Sequence, residues 1–319
     1  MHIDPHLFTD EAVSDETRAF NAGLQEMLLA MPDTTAFPPE QIRKARREGK
    51  SWMGPVIQSD RARTITIDGP GGDLQLRIID AEDPAGVYLH LHGGGWVLGA
   101  ADLSDVGNEA MVDASGVTSV SVEYRLAPEN PYPAGVDDCA AAARWLVENA
   151  ESVFGTDRLT IGGESAGANL AAATLIKTRD DIGYTGWDAA NLVYGSYLPH
   201  GTPSVQQWTT RGLILEPETM TWFGDHYVAD QTIPMDDPYF SPLYGNLADM
   251  PPALFTIGTW DPLIDDTLFM AMRWMAAGNN AELEIYPGGT HAFDAFPTTI
   301  ARQARTRMHD FIRGVVRST

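Results

Sequence analysis

Leu159-Thr160-Ile161-Gly162-Gly163-Glu164-Ser165-Ala166-Gly167-Ala168-Asn169-Leu170-Ala171 is the stretch whose reading decides the fold. Its first four residues form a short apolar run of the kind a strand buried on both faces requires. From Ala166 the composition turns alanine-rich and reads as a helix running to about Arg179. Between strand and helix stands Gly163-Glu164-Ser165-Ala166-Gly167, a Gly-x-Ser-x-Gly pattern in the strand–turn–helix setting that gives it chemical meaning. A turn this sharp strains the serine backbone and leaves room only for glycine on either side. It also lifts the hydroxyl clear of the sheet, with the helix N-terminus behind it favouring negative charge. Ser165 is thus a candidate nucleophile, and the backbone N–H of Ala166, next in the chain, is a candidate oxyanion donor.

Working outward, strand-like runs alternate with helical ones. Arg63–Asp68 and Asp73–Asp80 flank Gly69-Pro70-Gly71-Gly72 and read as a hairpin. Val87–Leu91, Val117–Glu123, Leu159–Gly162, Asn191–Tyr197, Ala253–Gly258 and Glu282–Tyr286 follow. Helical segments fall between them at Asp102–Ser115, Val136–Asn149, Ala166–Arg179, Asp266–Ala277 and Thr298–Val316. Strands alternating with helices predict an α/β fold: an eight-stranded, mostly parallel sheet with helices on both faces. Two stretches break the alternation. Residues 1–50 hold two amphipathic helix candidates, Glu16–Met31 and Pro39–Lys50, and residues 199–237 hold a second helical pair carrying Trp208, Leu213, Trp222, Phe223 and Tyr227. Both are expected to pack over one end of the sheet, and their aromatics read equally as ordinary core.

Three further features carry chemistry. The strand Val87–Leu91 runs into His92-Gly93-Gly94-Gly95-Trp96, where three glycines expose backbone N–H groups and admit no blocking side chain. Such donors suit a tetrahedral oxyanion. A phosphate loop is the rival, but the Lys-Ser/Thr and the G-x-G-x-x-G spacing are missing. His92 reads as a brace for this loop. An acid is expected after a late strand, and Asp261 in Gly258-Thr259-Trp260-Asp261-Pro262-Leu263 fits, with Asp265 and Asp266 as rivals that look like the start of the next helix. The base must come later still. His291, in a loop after the last strand, fits better than His309, which falls in an arginine-rich terminal helix and reads as solvated. Ser165, Asp261 and His291 in that order form a nucleophile, orienting acid and general base.

These motifs resemble those of the hormone-sensitive lipase family (bacterial family IV) of the α/β-hydrolase superfamily. The resemblance rests on His92–Gly95, Tyr124-Arg125-Leu126-Ala127-Pro128-Glu129 with Pro131-Tyr132-Pro133-Ala134, Gly163–Ala171, Ser241-Pro242-Leu243, Asp261-Pro262-Leu263 and His291-Ala292-Phe293, spread over roughly residues 63 to 316. It implies an α/β-hydrolase catalytic domain at 51–198 and 238–319, with a helical cap made from residues 1–50 and an insertion at 199–237. It implies hydrolysis of short- to medium-chain carboxylic esters without cofactor or metal, and an oxyanion hole of Gly94, Gly95 and Ala166. The Tyr124–Glu129 motif is structural by the same analogy. Glu164 stands where the family mostly has Asp, and Ala292 where it mostly has Gly. An amidase, lactonase, peptidase or deacetylase on the same three residues is the alternative. A ligand receptor built on a dead hydrolase is disfavoured by the intact His291, and Ser165 excludes enzymes that need an aspartate nucleophile. A homodimer through an edge strand is open. The pocket-lining candidates among the tryptophans are Trp96, Trp208, Trp222 and Trp260.

Composition narrows the partners. The chain has 319 residues, a formal charge of −23 and three lysines, Lys44, Lys50 and Lys177. Nucleic acid and anionic membranes require cationic surfaces, so neither is expected as a partner, and a small ester is. The one basic cluster, Arg43-Lys44-Ala45-Arg46-Arg47, reads as the solvated face of a helix. No apolar run is long enough for a membrane span, and the N-terminus lacks a signal-peptide pattern. A single cysteine, Cys139, precludes an internal disulfide and fits a cytoplasmic enzyme; it reads as a buried core residue.

Overall fold

Residues 3–318 are described in a computed structural model; Met1, His2 and Thr319, the extreme ends of the expected first and last segments, lie outside the described residues. The chain opens with α1 (Asp15–Leu29) and α2 (Pro39–Arg47). The strands are β1 (Ala62–Gly69), β2 (Gly72–Ile79), β3 (Gly86–Leu91), β4 (Val117–Val122), β5 (Leu159–Glu164), β6 (Ala189–Val193), β7 (Ala253–Trp260) and β8 (Ala281–Thr290). Between and after them run α3 (Asp105–Ser115), α4 (Ala134–Phe154), α5 (Ala166–Ile182), α6 (Pro203–Gln207), α7 (Pro217–Val228), α8 (Ile264–Ala276) and α9 (Thr299–Arg317). All eight expected strands are present, with ends shifted by a few residues.

The sheet order is β1-β2-β4-β3-β5-β6-β7-β8. β1 pairs antiparallel with β2 and β2 antiparallel with β4; from β4 to β8 every pairing is parallel. The central strands β3 and β4 are buried at every position, because helices cover both faces. α3 and α9 pack on one face, burying Met111, Met308, Phe311 and Ile312 against Tyr88, Leu254 and Ile257. α4, α5 and α8 pack on the other, where Leu146, Leu170, Leu175 and Trp274 meet Leu89, Ile161 and Phe255. α5 is apolar around most of its circumference, as a helix enclosed by sheet and neighbouring helices must be. Cys139 is fully buried on α4.

The two stretches outside the alternation meet one another. Gln25 of α1 donates to the carbonyl of Arg211 (2.5 Å), and Gly212 lies against Leu29. Two arginines of the basic cluster on α2, Arg43 and Arg46, depart from the expected solvated role, while Lys44 and Arg47 are exposed as expected. Arg43 donates to the carbonyls of Val97 and Ala127 and pairs with Glu129 at 2.9 Å, and Arg46 donates to the carbonyl of Gly54 (2.7 Å). Their guanidinium groups pin α2 to the body of the protein, because a long arginine stem can lie on apolar surface while its head finds backbone acceptors. His309 also departs from expectation. It is half-buried, and burial lowers its pKa below the ordinary histidine value.

Candidate active site

Parallel strands all point their carboxyl ends to one edge of the sheet, and the loops there bring distant residues together. Ser165 follows β5 directly, with φ +59° and ψ −120°, a strained backbone for a residue with a side chain. The strain is held in place: the Ser165 N–H donates to the carbonyl of Val193 on β6 (2.9 Å). The turn also needs glycine at 167, since a Cβ there would overlap the carbonyl of Leu91.

Asp261 caps the end of β7 and is 0% exposed. One carboxylate oxygen accepts the N–H of Leu263 (2.9 Å), which fixes its orientation. The other lies 2.8 Å from Nδ1 of His291, the residue just past β8. Nε2 of His291 lies 2.9 Å from Oγ of Ser165. Three side chains from positions 165, 261 and 291 thus form one hydrogen-bonded chain. The ring of Tyr194 lies edge-on to the His291 imidazole, 4.8 Å between centroids, and its hydroxyl donates to Asp294 at 2.6 Å. Burial pushes the Asp294 carboxyl above its ordinary pKa, with the Tyr194 hydrogen bond working the other way.

The rival acids are elsewhere. Asp265 and Asp266 both lie in the first turn of α8. Asp265 accepts the N–H of Ser204 (2.8 Å). Asp266 is fully buried and accepts from Tyr197 N–H (2.8 Å), Leu198 N–H (2.9 Å) and the Thr202 hydroxyl (2.6 Å). Burial pushes its pKa up to about 7, against those three donated hydrogen bonds.

The glycine loop after β3 wraps close to the serine. Gly94 and Gly95 have φ +120° and +61°, conformations that glycine adopts without steric cost. A Cβ on Gly94 would overlap the Leu98 carbonyl, and one on Gly95 the ring of Phe223. Among the described residues, the N–H groups of Gly94, Gly95 and Ala166 donate to no protein acceptor. His92 braces this loop as expected. Its ring stacks on Tyr124 at 4.1 Å, its Nδ1 lies 2.9 Å from the Gly93 carbonyl, and Tyr124 donates to the His92 carbonyl at 2.7 Å. Burial lowers the His92 pKa to about 4, so the ring is neutral near pH 7. Tyr124 thereby acquires a physical role that its motif did not disclose.

A cavity of about 1870 Å³ stands over Ser165 and His291. Leu24, Met27 and Phe37 line it from the N-terminal stretch, and Leu215, Met220 and Phe223 from the stretch at 199–237. Of the four candidate tryptophans only Trp96 lines it; Trp208, Trp222 and Trp260 do not. Trp96 stacks on Tyr227 at 4.5 Å, whereas Trp222 packs on His226 and Phe223 within α7. Sequence reasoning missed Tyr194, Asp294, His90 and Met220, none of which stands in a motif; the carboxyl-edge position of Tyr194, just past β6, was the one available signal. The described residues contain no His, Cys, Asp and Glu cluster able to hold a metal ion and no helix long and apolar enough to cross a membrane.

Comparison with known proteins identifies the family to which this fold belongs. The profile of a family described as alpha/beta hydrolase fold matches residues 88–295. An ethyl acetate hydrolase of Pseudomonas putida is 35% identical over 271 residues, 81% of this chain and 84% of the relative. The carboxylic ester hydrolase LipN of Mycobacterium tuberculosis is 33% identical, over 76% of this chain and 67% of the relative. Among solved structures, a hyperthermophilic esterase from the archaeon Pyrobaculum calidifontis superimposes with a TM-score of 0.84 at 29% identity, covering 93% of this chain and 97% of its own. A hormone-sensitive lipase from a metagenome library gives a TM-score of 0.81 at 27% identity, covering 94% and 98%. The chain belongs to the hormone-sensitive lipase family (bacterial family IV) of carboxylesterases, within the α/β-hydrolase superfamily.

Proposed function

We propose that the protein is a serine carboxylesterase that hydrolyses short- to medium-chain carboxylic esters through an acyl-enzyme on Ser165. The observation that carries this reading is the hydrogen-bonded chain from Asp261 through His291 to Ser165, with links of 2.8 and 2.9 Å. Nε2 of His291 accepts the serine proton as Oγ attacks the ester carbonyl, and Asp261 holds the imidazole tautomer and stabilises its cation. The negative oxygen that forms is received by the N–H groups of Gly94, Gly95 and Ala166. His291 then protonates the departing alkoxide, and water, deprotonated by the same nitrogen, releases the acid and restores Ser165. None of these steps draws on a cofactor.

Residues 1–50 and 199–237 serve in this reading as a cap over the catalytic domain of 51–198 and 238–319. Support comes from their mutual contact and from the apolar residues both contribute to the cavity. Apolar walls bury acyl chain at about 0.8 kcal/mol per methylene, which favours chains of several carbons until the space is filled. A cytoplasmic location accords with the lone, buried Cys139.

The test is a chain-length series of p-nitrophenyl esters with the Ser165→Ala protein as control. The wild type is expected to hydrolyse the short and medium esters and the variant none of them. A wild type inert on every ester but active on an anilide would move the assignment to an amidase.

A further inference from the structure

Glu164 directly precedes Ser165 in the turn, and its side chain reaches the glycine loop after β3. Its Oε1 accepts the N–H of Gly93 at 2.8 Å, and its Oε2 lies 3.0 Å from Nε2 of His90 on β3. The imidazole is itself anchored: Nδ1 lies 2.9 Å from Ser121 Oγ on β4 and 3.3 Å from Asn108 Nδ2 on α3. With the amide and hydroxyl donating to Nδ1, Nε2 carries the proton and donates to Glu164. One carboxylate therefore joins the end of β5 to the glycine loop after β3, through a chain that ends on β4 and α3. Burial opposes its charge, but His90 and the Gly93 N–H outweigh burial and hold Glu164 below the ordinary glutamate pKa, so it is ionised at neutral pH.

Gly93 has no side chain by which the fold can hold it. Its two backbone groups are its only handles, and both are used: the carbonyl lies against Nδ1 of His92 and the N–H against Glu164. The next two residues, Gly94 and Gly95, line the cavity and are the proposed oxyanion donors, and a run of glycines is the most conformationally free backbone a chain can have. Oxyanion donors work because they are already in place before charge develops, and a misplacement near 1 Å costs on the order of 10²-fold in rate.

We propose that Glu164 is a positioning residue for ester hydrolysis, a carboxylate strap that fixes the oxyanion loop relative to Ser165 by gripping Gly93 N–H with one oxygen and His90 with the other. This rests on the esterase reading above. It acts through the loop and touches no reacting atom, so its removal weakens transition-state binding more than substrate binding.

The test compares Glu164→Ala and Glu164→Gln with the wild type on p-nitrophenyl butyrate, together with inhibition by an alkylboronic acid that forms a tetrahedral adduct on Ser165. For Glu164→Ala, kcat is expected to fall about 10²-fold with KM within about threefold, and boronate affinity to fall in step with kcat/KM. Glu164→Gln keeps an oxygen for Gly93 N–H and is expected to recover at least about tenfold of that loss. If Glu164→Ala does not fold, His90→Phe cuts the second grip alone, and kcat is expected to drop several-fold. The proposal is overturned if removing the carboxylate leaves kcat within threefold of wild type, or lowers kcat without the matching loss of boronate affinity. A wild type that hydrolyses no ester instead defeats the esterase reading on which the strap depends.

Discussion

The floor of the cavity and its roof are built on different physics. On the floor, Ser165, Gly167 and Asp261 are held where strands end by backbone hydrogen bonds or close backbone approach, His291 is held through its ring by Asp261, and Asp261 and His291 are 0% and 7% exposed. In the roof, α7 buries only Tyr227 and α2 only Pro39. The roof is attached by stacked rings, with Tyr227 between Trp96 (4.5 Å) and Phe240 (5.6 Å), and by arginine heads on backbone carbonyls. A hydrogen bond or a backbone contact fails when atoms move by a few tenths of an ångström. Apolar stacking tolerates exchange of one hydrophobic residue for another at small cost. In the proposed reading, therefore, the floor fixes the chemistry and the roof tunes which substrate reaches it.

The sharpest way to break this contrast is to alter the floor. Asp261→Asn keeps the packing but presents the wrong partner to Nδ1 of His291, and kcat is expected to fall about 10⁴-fold with melting temperature little changed. Steady-state rates on p-nitrophenyl butyrate measure it; a loss under tenfold would show that Asp261 does not orient the base. Gly167→Ala brings a Cβ onto the Leu91 carbonyl, backbone against backbone, with nothing flexible to yield. A destabilisation of about 3 kcal/mol or more is expected by urea denaturation.

Asp266 tests the seam between the two regions, because it joins α8 of the floor to Tyr197, Leu198 and Thr202 where the chain leaves for the roof. Its pKa in the fold, about 7, lies above the ordinary 3.8, so folding favours the protonated form. The stabilising contribution is complete below pH 3.8 and is lost as pH rises through about 7. Asn at this position keeps an acceptor for the two N–H groups and cannot ionise. The melting temperature of wild type minus that of Asp266→Asn is therefore expected to decline from pH 5 to pH 8; a difference independent of pH would refute it.

Roof changes should be milder. Phe223→Ala removes a half-buried ring lying against Gly95, and KM for a hexanoate ester is expected to rise about three- to tenfold, since lost apolar contact is worth about 1 kcal/mol. The acetate ester, too short to gain from that wall, is expected to change less. The smallest effect comes from Ala292, which has φ +59°. Ala292→Gly removes left-handed strain of about 1–2 kcal/mol and returns part of it as chain entropy, for a net gain of under about 1 kcal/mol.

Much of the floor was legible without coordinates. Gly163–Gly167, the glycines at 93–95, Asp261 and His291 each sit in short local patterns, because a sharp turn, a bare loop or a strand end constrains residue type over four or five positions. The roof resisted reading for the opposite reason. Trp208, Trp222 and Trp260 looked as suited to the cavity as Trp96, since an aromatic side chain serves a core or a pocket wall equally well. The cluster at Arg43–Arg47 looked solvated because a helix records its charges, but not the carbonyls of Val97 and Ala127 that meet them from elsewhere in the chain.

What the chain determined by itself was the order of elements, the parallel sheet and the identity of the three side chains that the fold joins in one hydrogen-bonded chain, all consequences of hydrophobic period and turn chemistry acting over short spans. Only the tertiary structure decided that Tyr194 would stand beside His291 and donate to Asp294, that Glu164 would reach Gly93 and His90, and which rings would wall the cavity. Those contacts join residues roughly seventy to a hundred positions apart, and they exist because the parallel strands β3 to β8 end at one edge, a proximity that no local pattern encodes.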